Sequence, residues 1–493
     1  MKQTVIVIGS GVGGLATAIR LAKMGMKVTV YEKNCFVGGK VHSRTFSGYR
    51  FDMGPSVFTE PHLIDELVQL SDSELSFSYQ GLPESGRYFY EDGTRLIIPS
   101  GTEGTLKVLV EDLKEDDYNA RKYLLRIEKN YHSLYPVFIE TSLHRWSHLL
   151  KSNIGKAIRN IPSYGLLTTM NGFSKRFFKH AKTVQLLNRF ATYNGSDPYQ
   201  TPGLLSIIGH LELNIGSFFP EGGMVSITKI LEETARSLGV EFVVDSEVQS
   251  IETDNGRVKG VWVNGVFEPA DIVVSNADVH HTYERLLPHL ERPKKILGQE
   301  MSSSAVVFYW GIERIFPELG VHNVFFSKDY QTEFQAIFKD KTLSDDPTVY
   351  IHISSKVEPL DAPQGCENWF VMVNAPVDNG QDWSMLVEKL RKNVLRKLSN
   401  ILKVSVEGLI QTEFINDPIK LQQTYNGKGG SIYGNSSNSS AAAFYRHPNF
   451  TSKAKGLYFA GVTVHPGGGI PLALNGAKIV ERLVKEDFPR EAP

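Results

Sequence analysis

The start of the chain alternates between short apolar runs and a longer mixed stretch. Val5–Ile8 is a run of four β-branched residues, which is typical of a short strand buried on both faces. A helix is predicted to begin at Leu15, and a second strand follows at Lys27–Tyr31. Strand, helix and strand in so short a span predict a βαβ unit.

Further apolar runs predict strands much later in the chain. Phe242–Val244 and Asp271–Ala277 read as strands like the first one, and Gly256–Val263 reads as one arm of a hairpin. Ser304–Trp310 and Asn368–Val373 are longer runs, which we expect to form a separate sheet.

The turn after the first strand carries closely spaced glycines, Gly9, Gly11, Gly13 and Gly14. In such a turn Gly9 allows the tight bend, Gly11 lets the backbone approach a pyrophosphate, and Gly14 lets helix and strand pack closely. Glu32 ends the second strand 23 residues after Gly9, where a carboxylate hydrogen-bonds a ribose hydroxyl. The unit as a whole predicts a dinucleotide-binding site.

A second glycine pair follows the acidic residue. Gly38-Gly39 lets the chain pass close to a dinucleotide, and Lys40 or Arg44 can neutralise pyrophosphate oxygens. A nicotinamide dehydrogenase has no need for this segment, whereas two-domain flavoproteins do, so the segment favours a flavin dinucleotide.

The C-terminus supplies a matching signature. Gly456–Gly461 is predicted to be a buried strand, and the loop Gly467-Gly468-Gly469 then leads to Pro471 in the first turn of a helix. A helix N-terminus offers unpaired N–H groups and a partial positive charge, which can support the anionic N1–C2=O edge of a reduced flavin.

These motifs resemble those of the carotenoid desaturase branch of the FAD-dependent amine oxidase-like superfamily, in which bacterial phytoene desaturases have a motif similar in form to Gly461–Pro471. The resemblance covers essentially the whole chain and implies FAD as the cofactor. It also implies that the backbone at Val248 pairs with the adenine and that Asn276-Ala277 lies over the pyrophosphate. The FAD-binding residues expected from motifs and resemblance are Gly9, Gly11, Val12, Gly13, Gly14, Glu32, Lys33, Gly39, Lys40, Ser56, Val57, Val248, Asn276, Gly461, Gly468, Gly469 and Ile470.

The expected fold class is α/β, with a Rossmann-like FAD-binding domain assembled from discontinuous segments. We expect residues 1–70, 240–280 and 456–493 to form the FAD-binding domain, residues 71–140 and 281–455 to form a β-sheet substrate domain, and residues 141–239 to form a helical, membrane-facing subdomain. The polar, glycine-rich segment 427–440 reads as a long loop.

Composition excludes several classes of function. The net charge of −1 does not favour binding to nucleic acid. The two cysteines, Cys35 and Cys366, indicate incidental thiols in a reducing compartment rather than a disulfide framework or a metal site. The sequence shows no signal peptide, no stretch of about 18 apolar residues and no metal-ligand cluster. We expect a cytoplasmic protein.

One segment departs from this balanced composition. Residues 141–196 contain nine Lys and Arg residues and no Asp or Glu, interleaved with aromatic and aliphatic residues such as Trp146, Leu149, Leu150 and Lys151. Bases mixed with apolar residues suit a helix that lies in the headgroup plane of a membrane, so we expect peripheral association with the inner face of the cell membrane. A helical cap with solvated bases is the alternative, and nucleic-acid binding is a third.

The reaction is expected to be the oxidation of an organic substrate, because no second glycine-rich βαβ unit is present for NAD(P)H. The segment 358–374 is more similar to the hydroxycarotenoid 3,4-desaturases than to the phytoene desaturases. This resemblance implies a C3–C4 double bond introduced beside a tertiary C1 hydroxyl of an acyclic carotenoid. Hydride would go to flavin N5, a proton would be lost, and the electrons would pass to oxygen or a quinone.

Three alternatives stay open at this point: a multi-step phytoene desaturase, a flavin amine or porphyrinogen oxidase, and a prenyl-binding protein without catalysis. The acid and base residues are not identified by the sequence. His465 is near the expected flavin, but a hydrogen-bonded structural role is favoured over that of a general base. Adjacent His280 and His281 would point apart and do not form a metal pair.

Overall fold

The structure is a computed structural model that describes residues 2–145, 154–439, 442 and 445–489. Helices and strands alternate along most of this length. The strands, numbered in chain order, are β1 Thr4–Ile8, β2 Lys27–Tyr31, β3 Ser43–Phe46, β4 Tyr49–Asp52, β5 Tyr79–Gly81, β6 Glu84–Phe89, β7 Arg95–Pro99, β8 Phe218–Pro220, β9 Glu241–Val243, β10 Val248–Asp254, β11 Arg257–Val263, β12 Val266–Pro269, β13 Ile272–Ser275, β14 Ser304–Ile312, β15 His322–Phe325, β16 Val349–Ile353, β17 Glu367–Ala375, β18 Ile410–Asn416 and β19 Leu457–Phe459.

The α-helices vary from a single turn to about six turns. They are α1 Val12–Lys23, α2 His62–Val68, α3 Thr102–Lys107, α4 Asp117–Leu134, α5 Ile154–Arg159, α6 Met170–Ser174, α7 Ala181–Asn188, α8 Ile208–His210, α9 Val225–Ser237, α10 Val279–His281, α11 Lys294–Leu297, α12 Tyr330–Gln335, α13 Trp383–Leu402, α14 Pro418–Tyr425 and α15 Ile470–Asp487. Short 3₁₀ or π turns extend several of them, including Tyr135–Ile139 after α4 and Arg189–Asn194 after α7. No helix within the described ranges combines the length and the apolar character needed to cross a membrane.

The strands closest to the chain termini form a five-stranded parallel sheet in the order β19-β13-β1-β2-β9. β1 lies at its centre, and its residues are mostly buried because α1, α9 and α15 cover one face of the sheet. β10–β12 form a three-stranded antiparallel sheet that packs on the other face. Three separated parts of the chain thus build one dinucleotide fold, as the sequence predicted.

A second sheet has seven strands in the order β18-β14-β17-β16-β15-β6-β7. Its long central strands, β14 and β17, pair antiparallel over their whole length, from Ser304 opposite Ala375 to Ile312 opposite Glu367. One face packs on α13 through a core of aromatic and β-branched residues. The other face contributes to two cavities described below.

The middle of the chain is largely helical. Helices α4, α6 and α7 share a core with β6, β7 and α12, so this layer covers the far end of the seven-stranded sheet. One helix within the segment 141–239 lies elsewhere: α9 packs with α1 in the core of the parallel sheet. The expected boundary of a helical subdomain at residue 239 therefore differs from the packing, in which the chain has already returned to the dinucleotide fold at Val225.

Candidate functional site

Two cavities adjoin inside the protein. The first, of about 320 Å³, lies at the carboxyl ends of β1 and β2 and is lined by Gly9, Gly11, Glu32 and Asn276; we call it the dinucleotide cavity. The carboxyl edge of a parallel sheet is where α/β folds bind their ligands. The second, of about 270 Å³, lies between the seven-stranded sheet and the helical layer and is lined mainly by apolar side chains. We call it the apolar cavity.

The glycine turn after β1 is closed tightly by its neighbours. Gly9 has a φ of +91°, which favours glycine. A Cβ on Gly13 would lie 2.9 Å from the Cα of Gly461, and a Cβ on Gly14 would lie 2.2 Å from the carbonyl oxygen of Gly9. Because Gly13 has no side chain, the first turn of α1 can lie directly against Gly461, which follows β19. Gly14 packs against the end of β1 and does not line the dinucleotide cavity.

The Glu32 carboxylate is held at the end of β2. One oxygen accepts hydrogen bonds from the backbone N–H and the hydroxyl of Ser10, at 2.9 and 2.8 Å, and the other accepts from the backbone and side chain of Asn34, both at 2.9 Å. Glu32 is 5% exposed and lines the dinucleotide cavity. The two backbone N–H groups fix the orientation of the carboxylate. A ribose hydroxyl could therefore take the place of the Ser10 hydroxyl or the Asn34 amide as a hydrogen-bond donor to Glu32.

Lys40 lies in the wall of the same cavity. The backbone reaches it through Gly38 and Gly39, whose φ values are +119° and +59°. Its ammonium group donates a 2.7 Å hydrogen bond to the carbonyl oxygen of Ile432. Burial away from bulk solvent lowers the pKa of Lys40 to about 8, with Asp278 opposing the shift. A half-buried cation that makes no ion pair with any described residue suits an anionic ligand.

Lys33 also lines the dinucleotide cavity. Its ammonium group, however, is already hydrogen-bonded at the C-terminal end of α14. It donates to the carbonyl oxygen of Gln423 and to the side chain of Asn426, both at 2.8 Å. Burial lowers its pKa. In this arrangement Lys33 ties β2 to the loop after α14.

At the C-terminal motif, the chain passes from β19 through Gly461, with a φ of +99°, to Gly469, which is the N-cap of α15. No side chain caps α15, so its first N–H groups face the two cavities. Arg446 lies behind the glycine loop and is 3% exposed. Its Nη1 donates to the carbonyl oxygen of Tyr433 at 3.1 Å, and its Nη2 has no partner among the described residues. Burial lowers its pKa to about 10.

These residues fit FAD. The glycines leave no room for side chains where a dinucleotide backbone must be approached closely, and Glu32 is placed for a ribose. The half-buried charge of Lys40 suits a pyrophosphate. The uncapped start of α15 suits the anionic edge of a reduced flavin.

Most of the residues that the sequence predicted for FAD binding come together in the dinucleotide cavity. They are Gly9, Gly11, Val12, Gly13, Glu32, Lys33, Gly39, Lys40, Val248, Asn276, Gly461, Gly469 and Ile470. Ser56, Val57 and Gly468 differ, because they line only the apolar cavity. The chain crosses from one cavity to the other at Gly54-Pro55, which line both, so Ser56 and Val57 lie past the crossing point.

Nine residues line both cavities and define what we call the junction. They are Gly54, Pro55, Thr192, Phe370, Met372, Asn374, Tyr433, Gly469 and Ile470. A ligand in the apolar cavity can therefore contact a ligand in the dinucleotide cavity only where these residues form the boundary between the two.

β17 forms one side of the junction. Alternate residues of a strand face opposite sides of its sheet, and Phe370, Met372 and Asn374 share the cavity side. Their neighbours Trp369 and Val371 are fully buried in the core with α13. Sequence reasoning missed this role; the signal was a polar residue, Asn374, directly after the apolar run Trp369–Val373.

A polar cluster lies further along the wall of the apolar cavity. The buried Arg189 pairs with Glu212 and also donates to the hydroxyls of Tyr193, at 3.1 Å, and Tyr88, at 2.9 Å. Nearby, the hydroxyl of Tyr350 is hydrogen-bonded to Ser56 Oγ and His322 Nδ1, both at 2.8 Å. These groups largely satisfy one another.

His465 has a structural environment, whereas His281 lines the dinucleotide cavity. His465 is buried, its Nε2 lies 2.9 Å from the carbonyl oxygen of Thr141, and burial lowers its pKa to about 3. It lines neither cavity. Within the part of the chain that the structure describes, no group of His, Cys, Asp and Glu residues is arranged to hold a metal ion.

The basic segment 141–196 divides into two groups. Arg145 pairs with Asp487 at 2.8 Å, Lys182 pairs with Asp92, and Arg189 is buried, so these three bases are not available to a membrane. The exposed bases without an ion pair to any described residue are Lys156, Arg159, Lys175, Arg176 and Lys179. Trp146, Leu149, Leu150 and Lys151 lie outside the described residues.

Comparison with known proteins gives one family. The family model for flavin-containing amine oxidoreductases matches residues 12–480. The chain is 47% identical to a 1-hydroxycarotenoid 3,4-desaturase of Flavobacterium sp. (strain P99-3), covering 98% of this chain and 99% of the relative. It is 31% identical to a phytoene desaturase of Fusarium fujikuroi, covering 99% and 90%.

Solved structures share the fold at low identity. Cyclohexylamine oxidase from Brevibacterium oxydans IH-35A is 15% identical, with a TM-score of 0.63 and coverage of 99% of this chain and all of that one. The α/β fold with its dinucleotide-binding sheet is thus the one expected from the sequence.

Proposed function

Because the chain belongs to the family of flavin-containing amine oxidoreductases, and is a flavoprotein oxidoreductase with FAD as its cofactor, we propose that it introduces a C3–C4 double bond into a 1-hydroxylated acyclic carotenoid. The observation that carries the proposal is the junction, where a long apolar cavity meets the dinucleotide cavity. The relative from Flavobacterium, named for this reaction, aligns along nearly the whole of both chains.

In the desaturation, C3 and C4 each lose one hydrogen, one as a hydride and the other as a proton. The chemistry that bound FAD supplies is acceptance of the hydride, and oxygen or a membrane quinone is the proposed final electron acceptor. The residues of this chain hold the polyene and exclude water. Phe370 and Met372 present an apolar surface at the junction, and Ile470 borders it at the start of α15.

The apolar cavity suits a polyene for most of its length. Its lining includes Phe190, Leu205, Ile207 and Val324, and its polar groups largely hydrogen-bond one another. An acyclic carotenoid has no charge to pair, so binding rests on burial of apolar surface.

The test is a direct assay in liposomes with purified protein loaded with FAD. A 1-hydroxylated acyclic carotenoid, the same polyene without the hydroxyl, and phytoene are supplied separately, with oxygen or a quinone as acceptor. We expect the hydroxylated polyene to gain one conjugated double bond, seen as a red shift in absorption and a mass loss of two hydrogens. Oxygen uptake compared with quinone reduction identifies the acceptor.

The runner-up is a multi-step phytoene desaturase, which the similarity to the Fusarium enzyme favours. Turnover of phytoene with none of the hydroxylated polyene would overturn our assignment in favour of that function. It would leave FAD binding unaffected, because the two reactions use the same cofactor site.

We further propose that the protein takes its substrate from a membrane surface, the inner face of the cell membrane. Three large apolar side chains are exposed close to one another in sequence: Ile158, Ile161 and Leu167, the last fully exposed. They lie among the five unpaired bases of segment 141–196. Apolar side chains flanked by bases suit insertion between anionic headgroups.

The same segment is connected to the apolar cavity. Leu166, next to the exposed Leu167, packs with Tyr164, Leu204 and Ile207 in one small core, and Ile207 also lines the apolar cavity. A polyene that leaves the bilayer beside Leu167 would therefore meet the cavity wall directly behind it.

A further inference from the structure

The position of the substrate hydroxyl is constrained by the proposed reaction, on which this inference rests. The hydroxyl oxygen is three bonds of about 1.5 Å from C3, so it lies within about 4 Å of a reacting carbon. The reacting carbons must meet the dinucleotide cavity, and that contact is possible only at the junction. The group that binds the hydroxyl must therefore lie at the junction or within one hydrogen-bond length beyond it.

Three junction residues have polar side chains: Thr192, Asn374 and Tyr433. The hydroxyl of Thr192 already donates a 2.8 Å hydrogen bond to the carbonyl oxygen of Arg189. The ring of Tyr433 packs against Gly468, where its Cδ1 lies 2.3 Å from the position of an added Cβ. The Tyr433 hydroxyl makes no hydrogen bond to a described residue, so Tyr433 is the second candidate; Asn374 is the first, because its amide offers two donors and a carbonyl acceptor.

The amide of Asn374 makes no hydrogen bond to any described residue, and its backbone in β17 is paired with Ala305 of β14. The side chain is partly accessible because it faces the cavities. A carboxamide in an interior cavity loses its hydrogen bonds to bulk water, so it gains from a ligand that restores them. It offers one acceptor and two donors, and a tertiary hydroxyl can bond to either kind.

The other polar groups of the apolar cavity are less suitable than Asn374 for binding the substrate hydroxyl. The hydroxyl of Tyr350 already has two partners, Ser56 and His322. The Arg189 cluster is too distant: Met372, Tyr350, Val324 and Tyr88 are cross-strand neighbours in one row. Three strand spacings separate the backbone of Met372 from that of Tyr88, about 14 Å.

We propose that Asn374 binds the C1 hydroxyl of the substrate and is the residue that selects hydroxylated over non-hydroxylated ends. Its Oδ1 accepts a hydrogen bond from the hydroxyl, which places C3 and C4 at the junction. A substrate end without the hydroxyl leaves the amide unsatisfied in the cavity, and this penalty produces the discrimination.

The experiment measures kcat/KM for the 1-hydroxylated carotenoid and for the analogue with hydrogen in place of the hydroxyl. FAD content and melting temperature are checked for each variant. In Asn374→Leu we expect kcat/KM on the hydroxylated substrate to fall about 5- to 150-fold, with no fall on the analogue. Asn374→Asp, which is close in shape and keeps an acceptor oxygen, retains part of the preference and serves if the leucine variant does not load FAD.

Two control variants separate hydroxyl binding from general packing. Met372→Leu, on the same face of β17, changes rates on both substrates alike, and Tyr350→Phe leaves the preference intact. A wild-type preference that persists in Asn374→Leu overturns the inference, as does a wild-type enzyme that treats both substrates equally. Absence of wild-type turnover of the hydroxylated polyene instead overturns the proposed function.

Discussion

Glu32 shows how a single carboxylate is prepared for a ligand. Two backbone N–H groups and two side chains point to its two oxygens, so its position at the end of β2 is set before any ribose arrives. The sequence predicted its place in the cavity correctly, because the spacing from Gly9 is fixed by one strand, one helix and one strand. The hydrogen-bonding neighbours Ser10 and Asn34 were not predicted.

We expect Glu32→Ala to weaken FAD binding about 10- to 100-fold, because a charge-assisted hydrogen bond to the ribose is lost. Titration of apoprotein with FAD, followed by quenching of flavin fluorescence, measures the change. Glu241→Ala is the matched control, since that carboxylate lies on β9 of the same sheet but lines neither cavity. Equal affinity of Glu32→Ala and Glu241→Ala would show that Glu32 does not bind the ribose.

Lys40 gives a prediction of pH dependence. Its pKa in the ligand-free protein is lowered to about 8 by burial, and the pyrophosphate favours its charged form. Above pH 8 the apoprotein carries a neutral Lys40, so FAD binding must take up a proton. The dissociation constant should then rise toward tenfold per pH unit above pH 8 and stay flat below it. Isothermal titration in buffers of different ionisation enthalpy detects the proton.

The comparison for Lys40 is Lys40→Met, which keeps a long side chain and removes the charge. This variant should bind FAD more weakly than the wild type at pH 7, and its dissociation constant for FAD should not rise between pH 8 and pH 9. If the dissociation constant of Lys40→Met still rises with pH, the proton taken up on FAD binding belongs to another group.

Other residues show the limit of sequence reasoning at this scale. Ser56 and Val57 follow the glycine signature at a regular distance, yet they line only the apolar cavity, because the chain crosses at Gly54-Pro55. Distance along the chain does not reveal which side of a turn a residue occupies. Asn374 ends the segment 358–374, whose resemblance indicated the reaction, but that resemblance assigns no role to single residues; only the register of β17 places Asn374 at the junction.

At the scale of elements, the central contact is between the start of α1 and the segment after β19. Gly13 and Gly461 meet backbone to backbone, about 450 residues apart in the chain. The two terminal motifs were predicted separately, and their direct contact follows from the parallel order β19-β13-β1.

Gly13→Ala tests this contact. The added Cβ would lie 2.9 Å from both the Cα and the N of Gly461 and 2.8 Å from Asn276 Oδ1, and the backbone atoms cannot rotate away. We expect a loss of about 1–3 kcal/mol in the free energy of unfolding, together with weaker FAD binding. Denaturant unfolding with and without FAD measures both effects.

Gly408→Ala is the control for that experiment, since its added Cβ would meet only Ser405 Oγ at 3.9 Å. It should leave the free energy of unfolding within about 0.5 kcal/mol of the wild type. A Gly13→Ala protein as stable as Gly408→Ala would mean that α1 and the β19 segment can separate freely.

The seven-stranded sheet illustrates what local pattern does not contain. β14 and β17 were recognised from their apolar runs, but β6 and β7, more than 200 residues earlier, complete the same sheet. β6 joins β15 in parallel, and such non-local pairing has no signature in neighbouring residues. Helix α9 lies within the segment 141–239 that was expected to form the helical subdomain, yet it packs against α1. This packing is also a non-local contact that neighbouring residues do not reveal.

At the scale of the whole molecule, we propose that the substrate passes from an exposed surface to the dinucleotide cavity. Leu167 is exposed, its neighbour Leu166 packs in the small core that includes Ile207, and Ile207 also lines the apolar cavity, which meets the dinucleotide cavity at the junction. A polyene that is insoluble in water requires such a continuous route. The sequence predicted a membrane-facing surface from the charge of segment 141–196, and this stays a prediction; the sequence could not show that three of the bases are engaged elsewhere.

Replacement of the five unpaired bases Lys156, Arg159, Lys175, Arg176 and Lys179 by Gln tests the membrane surface. Each base near an anionic surface contributes about 1 kcal/mol, so we expect vesicle binding to fall at least about tenfold in a flotation assay with anionic liposomes. Added salt should weaken wild-type binding through the same electrostatic contribution.

The matched control removes an equal charge outside the segment, by changing the exposed residues Lys295, Lys339, Lys389, Lys392 and Arg396 to Gln. The control should keep wild-type binding to vesicles. The five-base variant should desaturate a carotenoid slowly from anionic vesicles but at the wild-type rate from neutral detergent micelles, because only delivery of the substrate has changed. If both variants bind vesicles equally, the bases of segment 141–196 are a solvated surface, and the substrate enters the apolar cavity by another route.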